Sequence, residues 1–148
     1  MSDLVHPGAW QPLSVQGCSL VVLRQHQDDR GPLAVLGQGE AVLPFSPRRI
    51  FLTHHATGST RGEHAHRVCA QLLLCPHGSL CVRIDDGRHH EVVRLDQPHL
   101  ALYVPPMIWA EQFDHSPDAV LIVAASHPYD PTDYLRSRTE WLRTLRET

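Results

Sequence analysis

The chain has 148 residues and a formal net charge of −3 at pH 7, with 42% hydrophobic and 20% charged residues. This length and balance predict one folded domain spanning residues 1–148 and exclude a largely disordered chain. The weak negative charge gives no electrostatic reason to expect a nucleic acid or an anionic membrane surface as a partner.

The sequence shows no targeting signal, and its cysteines have no disulfide or metal-site spacing, so we expect a cytoplasmic protein. No apolar run approaches the ~20 residues of a membrane-spanning helix, and the N-terminus lacks the basic-then-apolar order of a secretory signal. The four cysteines, Cys18, Cys69, Cys75 and Cys81, form no C-x-x-C pair and lie mostly in apolar runs. We expect them to be buried, reduced thiols in a cytoplasmic protein.

Short runs rich in Val, Leu and Ile alternate with turn-forming residues, which is the pattern of an all-β sandwich or barrel. The predicted strands are, in chain order, Ser19–Arg24, Leu33–Leu36, Arg49–His54, Gln71–Cys75, Ser79–Asp85, Glu91–Leu95, Ala101–Val104 and Ala119–Ala125. Asp86-Gly87 predicts a type I′ hairpin. Asp133 is placed to cap a helix containing Trp141, so a short C-terminal helix is predicted at about 131–146.

The basic residues and histidines narrow the chemistry. All 13 basic residues are Arg, which excludes a Schiff-base lysine and a P-loop lysine. Histidine, the natural acid or base near neutral pH, occurs 12 times. Several histidines lie in polar, turn-like stretches and are predicted to be solvated surface residues: His6, His26, His89, His90, His115 and His127.

His64 and His66 are two residues apart, so on a strand both side chains point to the same face. If that face lines a barrel mouth, three interpretations remain open. The pair could help to hold zinc, iron or manganese, could be a structural pair of core histidines, or could perform acid/base catalysis. The last is favoured, because polar groups gathered inside a small barrel are costly unless they are paired, and so they call for a functional explanation.

Three nearby side chains are candidate substrate ligands. Arg61 could contact a phosphate or an enediolate oxygen, or could be a solvated loop cation. Gln71 could bind a substrate hydroxyl, or could satisfy backbone groups of the barrel. Trp109 could stack on a nucleotide base or sugar, or could belong to the core.

The spacing of Gly58, His64, His66, Gln71 and Gly78 resembles the first motif of the cupins. The resemblance implies a jelly-roll β-barrel, also called a double-stranded β-helix. Cupins usually have Glu at the position of Gln71 and a later histidine as the fourth metal ligand. The matching stretch Pro105–Ala110 ends in Ala110 instead of that histidine. With two of the four ligands missing, we expect no metal and no other cofactor.

A more specific resemblance extends over roughly residues 12–141. The chain resembles the dTDP-4-keto-6-deoxyglucose 3,4-ketoisomerases of bacteria, on the segments Arg61–His66, Gln71, Gly78–Ser79, Asp85–Gly87, Leu95–Asp96, Pro105–Trp109, Ser116–Val120 and Tyr129–Arg136. These enzymes are metal-independent homodimers. The resemblance implies that His66 is the catalytic base, that His64 is its partner and that Arg61 belongs to the site.

One difference from that family lies in the strand before the histidine pair. The family usually has a tyrosine that faces the sugar, whereas this chain has Arg48-Arg49-Ile50-Phe51, so His54 and His55 are candidate substitutes. The predicted function is the transfer of a keto group from C4 to C3 of a dTDP-linked 4-keto-6-deoxy sugar in deoxysugar biosynthesis. A 3,5-epimerase or a non-catalytic sugar-nucleotide-binding cupin are the alternatives.

Overall fold

The computed structural model describes residues 7–37 and 43–148, so His6 lies outside the described residues. No helix in these two ranges has the length and apolar character needed to cross a bilayer. The elements are short strands with one helix near the C-terminus. They are β1 Trp10–Pro12, β2 Ser19–Val22, β3 Gln25–Asp28, β4 Gly31–Ala34, β5 Arg49–His54, β6 Arg61–His66, β7 Gln71–His77, β8 Leu80–Asp85, β9 His90–Leu95, β10 Leu100–Val104, β11 Trp109–Phe113, β12 Val120–Ala125, β13 Tyr134–Leu135 and α1 Arg138–Glu147.

Two antiparallel sheets enclose the core. The first has the order β1-β2-β10-β7-β12-β5, the second has the order β13-β6-β11-β8-β9, and β3 and β4 form a separate hairpin. Inward side chains of both sheets meet in the largest buried cluster, with Leu73 and Val123 from the first and Val82 and Ile84 from the second. The prediction of an all-β jelly roll with a short C-terminal helix is confirmed. Within the described residues, the jelly roll consists of two facing sheets.

All eight predicted strands overlap observed ones, and the hairpin at Asp86-Gly87 joins β8 to β9. Its loop has the four residues 86–89, in which the Asp86 carboxylate accepts the backbone N–H groups of Arg88 and His89. Five strands were not predicted: β1, β3, β6, β11 and β13. They are short or polar, so they lack the apolar run on which the prediction depended.

The C-terminal helix begins later than predicted. Residues Pro131–Asp133 form a 3-10 turn capped by Asp130, and α1 starts at Arg138 with the Ser137 side chain accepting the N–H of Glu140. Asp133 does not cap the helix, and its side chain is buried. The prediction failed because the same residue types that favour a helix cap also favour a tight turn.

Helix α1 packs against the second sheet through aromatic and charged contacts. Trp141 is fully buried, packs on Trp109 at 5.5 Å between ring centroids, and donates its Nε1–H to the Met107 carbonyl at 2.9 Å. Arg138 lies over both indole rings and forms an ion pair with Asp85. These contacts fix the position of the segment that precedes the helix.

Gly78, in the turn between β7 and β8, has no room for a side chain. Its φ is +73°, and an added Cβ would lie 2.5 Å from Ser116 Oγ and 2.7 Å from the Ala119 backbone. We expect Gly78→Ala to lower the free energy of unfolding by about 2–4 kcal/mol, measured by urea denaturation. Gly58→Ala is the control, because Gly58 also has a positive φ but nothing within 4 Å. Equal losses in the two variants would contradict the steric explanation.

Candidate active site

A cavity of about 350 Å³ opens between β5 and β12 of the first sheet and β6 and β11 of the second. Its wall is formed by Phe51, Thr53, Thr60, Arg61, Gly62, His64, Gln71, Gln112, Leu121, Val123, Tyr134 and Arg136. Of the predicted site residues, His64, Arg61 and Gln71 therefore line one cavity.

His64 presents a free ring nitrogen to this cavity. Its Nδ1 lies 2.9 Å from the Gly62 carbonyl, which can only accept, so Nδ1 carries the proton and Nε2 keeps its lone pair. Burial, followed by the neighbouring His66, lowers the pKa of His64 from 6.5 to about 4. The imidazole is therefore neutral at pH 7 and able to accept a proton.

The backbone of β6 is irregular where it places His64. Gly62 and Glu63 both have positive φ values, and the register with β11 shifts between Ala110 and Glu111. A Cβ on Gly62 would lie 2.8 Å from the Ala110 carbonyl oxygen, so only glycine fits there. The resulting bulge directs the Gly62 carbonyl towards the ring of His64, and the hydrogen bond that it accepts fixes the tautomer of that ring.

His66 lies behind His64 and is only 6% exposed. The two rings are 4.9 Å apart, which confirms that both side chains point to the same face of β6. His66 Nδ1 donates to Asp133 Oδ2 at 2.8 Å, and its Nε2 lies 3.2 Å from the amide nitrogen of Gln71. Both nitrogens of His66 are thus engaged, and His66 is not part of the cavity wall.

Asp133 is a buried carboxylate that orients His66. Its second oxygen accepts the backbone N–H of Val68 at 2.7 Å. Burial alone would raise the pKa of Asp133, but the hydrogen bonds from Val68 and His66 hold it below its usual value of 3.8. The carboxylate therefore stays ionised. Sequence reasoning missed this role, although the Y-D-x-x-D-Y-x-R segment contained it.

Tyr134 and Arg136 are further site residues that sequence reasoning did not assign. The Tyr134 ring lies 4.9 Å from the His64 ring and 4.4 Å from the His66 ring. The guanidinium of Arg136 lies 4.3 Å from the Tyr134 ring centroid. The two-residue spacing that indicated a shared face for His64 and His66 would also have paired Tyr134 with Arg136.

The charge of the cavity wall favours an anionic ligand. Arg61 and Arg136 line the wall, and none of its lining residues carries a carboxylate. A guanidinium is suited to bidentate contact with phosphate oxygens. The cavity can therefore hold a phosphorylated ligand with a reactive carbon near His64.

The structure places three residues differently from the sequence-based prediction. Trp109 is only 4% exposed, packs in the core against Trp141 and donates to Glu111, so it does not line the cavity. His54 is exposed beside His55, because alternation along β5 turns Phe51 and Thr53 inward and His54 outward. His115, predicted at the surface, lies in the loop between β11 and β12 and is buried.

Possible metal ligands come together at one place within the described residues. Atoms of His66, Cys69 and Asp133 lie within 4.8 Å of one another. However, His66 and Asp133 are already hydrogen-bonded to each other, and Asp133 also accepts from Val68. Ala110, opposite His64 on β11, offers no ligand atom. The arrangement suits a histidine held by a carboxylate better than a metal centre.

Several proteins with a named activity are similar to this chain in sequence or in fold. The TDP-4-oxo-6-deoxy-alpha-D-glucose-3,4-oxoisomerase of Aneurinibacillus thermoaerophilus is 41% identical over 110 residues, which cover 74% of this chain and 78% of that protein. A 3,4-ketoisomerase from Helicobacter canadensis superposes with a TM-score of 0.83 and 29% identity, covering 88% and 98% of the two chains.

A variant of the QdtA 3,4-ketoisomerase from Thermoanaerobacterium thermosaccharolyticum, solved with TDP-4-keto-6-deoxyglucose, superposes with a TM-score of 0.81 and 28% identity, covering 90% and 96% of the two chains. The predicted resemblance to 3,4-ketoisomerases is confirmed. The family described as FdtA: WxcM-like, C-terminal matches residues 16–146, and the chain belongs to that family.

Proposed function

We propose that this protein is an isomerase that moves the keto group of a dTDP-linked 4-keto-6-deoxyhexose from C4 to C3. The observation that carries the proposal is the neutral imidazole of His64, which presents a free Nε2 to an arginine-lined cavity. The solved relative with TDP-4-keto-6-deoxyglucose supports this class of substrate. The negative charge of the diphosphate accounts for Arg61 and Arg136 in the cavity wall. The 4-keto sugar provides a C3 hydrogen that is acidified by the adjacent carbonyl.

The geometry favours His64 as the base and His66 as its partner, the reverse of the roles predicted from sequence. His64 lines the cavity and keeps one nitrogen free, whereas both nitrogens of His66 are occupied. A general base must come within hydrogen-bond reach of the proton that it removes. Burial and the neighbouring His66 lower the pKa of His64 to about 4, and the negative charges of a bound diphosphate would act in the opposite direction.

The reaction is a pair of proton transfers with no net redox change. His64 Nε2 removes the proton from C3, the C–H electron pair forms the C3=C4 double bond, and the C4 carbonyl oxygen becomes an enediolate oxygen. The proton of the C3 hydroxyl passes through solvent to that C4 oxygen and a carbonyl forms at C3. His64, which exchanges its proton with solvent, returns a proton to C4. Arg136, beside Tyr134 and both imidazoles, is placed to stabilise the developing oxyanion.

Exchange of substrate hydrogens with deuterated water tests this function. With dTDP-4-keto-6-deoxyglucose, we expect NMR to show a 3-keto product with deuterium at C4, and deuterium at C3 of the 4-keto substrate that remains. His64→Asn should lower the rate by about 10²- to 10⁴-fold, the usual cost of removing a positioned base, while dTDP binding persists. His66→Asn should have a smaller effect, because it removes only the partner of the base.

Other exchange patterns identify the alternatives. Deuterium at C5 would indicate a 3,5-epimerase, and binding without exchange would indicate a non-catalytic sugar-nucleotide-binding protein. Full exchange in His64→Asn combined with none in His66→Asn would restore the roles that the sequence predicted. Matched ligand occupancy, measured by calorimetry, is the control for all three proteins.

We further propose that turnover needs no metal. Two imidazoles and the amide of Gln71 are a weak ligand set, and the position opposite His64 is occupied by Ala110. We expect treatment with a chelator, followed by gel filtration, to leave the rate of isomerisation unchanged within twofold. A loss that one added divalent ion reverses would contradict a metal-free reaction.

A homodimer is also proposed. Within the described residues, β5 is an edge strand, and its outer face exposes 62% of Ile50 and 59% of Leu52. Uncovered edges with apolar side chains are commonly paired with a second copy. We expect light scattering to give twice the 16.7 kDa of one chain, and Ile50→Arg/Leu52→Arg to halve that mass. A monomeric wild-type protein at micromolar concentration would exclude the dimer.

The proposed location is the bacterial cytoplasm. The four cysteines are free and buried, as expected of a protein made in a reducing compartment.

A further inference from the structure

A cysteine thiol lies beside the carboxylate of Asp133 and the imidazole of His66. Cys69 belongs to the link between β6 and β7 and is only 2% exposed. Its Sγ, an oxygen of Asp133 and a ring nitrogen of His66 lie within 4.8 Å of one another. The thiol makes weak contacts, at 3.4 Å from the Ala70 carbonyl oxygen and 3.8 Å from Ser126 Oγ. The described wall of the cavity does not include Cys69, and the proposed proton transfers give it no role.

The three ligand atoms are of the types that zinc prefers. A thiolate, an imidazole nitrogen and a carboxylate oxygen fill three positions of a tetrahedral site and leave the fourth open for water. At ordinary bond lengths the ligand atoms of one zinc ion are about 3.3–3.6 Å apart, so a rearrangement of about 1 Å would seat an ion between these three. One thiolate and one carboxylate also balance the two positive charges of the ion, which limits the cost of burying it.

A second cavity gives solvent access to this group of ligand atoms. It has a volume of about 370 Å³, and Asp133 forms part of its wall with His127, Tyr129 and Asp130. These four residues are not among those that line the cavity of His64. An ion can therefore reach the Asp133 carboxylate from solvent without passing the proposed sugar-binding cavity. The carboxylate of Asp130 and the imidazole of His127 in this wall favour the entry of a cation.

We propose that His66, Cys69 and Asp133 form an inhibitory site for a thiophilic divalent cation, with zinc as the representative ion. This inference rests on the proposed function for its consequence, but not for the binding itself. The hydrogen bond between His66 Nδ1 and Asp133 occupies two of the three ligand atoms, so the ion has to replace it. The site is separate from the metal position of ordinary cupins, because it uses neither His64 nor the position of Gln71.

The binding step accounts for every proton. The thiol proton of Cys69 leaves to solvent, and Sγ bonds the ion as a thiolate. The proton on His66 Nδ1 is exchanged through solvent to Nε2, so the ring stays neutral and Nδ1 gains the lone pair that the ion needs. Nε2 then becomes a donor, and the amide of Gln71 accepts through its oxygen after a half-turn. Asp133 binds the ion with the oxygen that had accepted from His66.

Ion binding lowers the rate of isomerisation for two reasons. The hydrogen bond to Asp133 no longer orients His66. The site also gains one positive charge, because one divalent cation replaces one proton, and the ring of His66 is only 4.9 Å from that of His64. A nearby positive charge opposes the uptake of a proton by the base. We therefore expect zinc to lower kcat about tenfold and to leave the KM of the sugar nucleotide unchanged within about twofold.

Two cysteine variants and two ions test the site. Chelator-treated, reduced protein is titrated with Cd²⁺, and the ultraviolet absorption of the cadmium–thiolate bond is measured. We expect one bound ion per chain in wild type and in Cys75→Ala, which also removes a buried thiol, and no absorption in Cys69→Ala. Without added zinc, Cys69→Ala should isomerise at the wild-type rate. It should need about 10- to 100-fold more Zn²⁺ than wild type for the same inhibition, and excess chelator should restore wild-type activity.

Other results contradict the inference in distinguishable ways. No cadmium–thiolate absorption in wild type, or the same absorption in Cys69→Ala, would overturn the cation site. Cadmium bound through Cys69 without any loss of rate from zinc would overturn the inhibition. A higher KM with an unchanged kcat would place the zinc ion in the sugar-binding cavity and would also overturn the inference. Cadmium bound through Cys69 in a wild-type protein that does not isomerise would keep the cation site and reject the proposed function.

Discussion

The hydrogen bond between Asp133 and His66 connects two distant parts of the chain at the centre of the site. The carboxylate comes from the 3-10 turn that precedes β13, and the imidazole comes from the end of β6. The same turn accepts the N–H of Val68, so the corner after β6 is held as well. With the turn fixed, β13 pairs with β6 and places Tyr134 against both imidazoles. The geometry of the site therefore depends on one buried, ionised carboxylate.

The two histidines are held in different ways, and the proposed proton transfer depends on that difference. One imidazole is held by a backbone carbonyl and keeps a nitrogen free, and the other is held by a carboxylate and an amide. A metal site between the two rings would require both imidazoles to direct a lone pair at one ion. Here, the small side chain of Ala110 and the amide of Gln71 remove that option. The pair is left with neutral rings in a cationic cavity, which is a suitable environment for moving protons next to a bound diphosphate.

The sequence predicted the fold and the central pair but not the segment that completes the site. Apolar periodicity located the strands of the core, and the two-residue spacing of His64 and His66 located the face of β6 that carries both imidazoles. Trp109 could not be assigned in this way, because an aromatic residue in a turn-rich stretch fits a core and a ligand contact equally well. Asp133 was missed because its partner lies 67 residues away, and a carboxylate in a local capping pattern gives no sign of a distant contact. Glu63 and Gly62 form a bulge that no periodicity predicts.

The order in which the site is assembled follows from the position of the 3-10 turn in the chain. Every strand of both sheets except β13 precedes Pro131, and each pairs with strands that are also already synthesised. A nascent chain can therefore form its sheets while His66 still lacks its carboxylate and the cavity lacks Arg136. A chain that stopped at Asp130 would lack Asp133, Tyr134 and Arg136, and with them the buried Trp141. Residues 131–148 therefore complete the proposed proton-transfer site and also cover part of the second sheet.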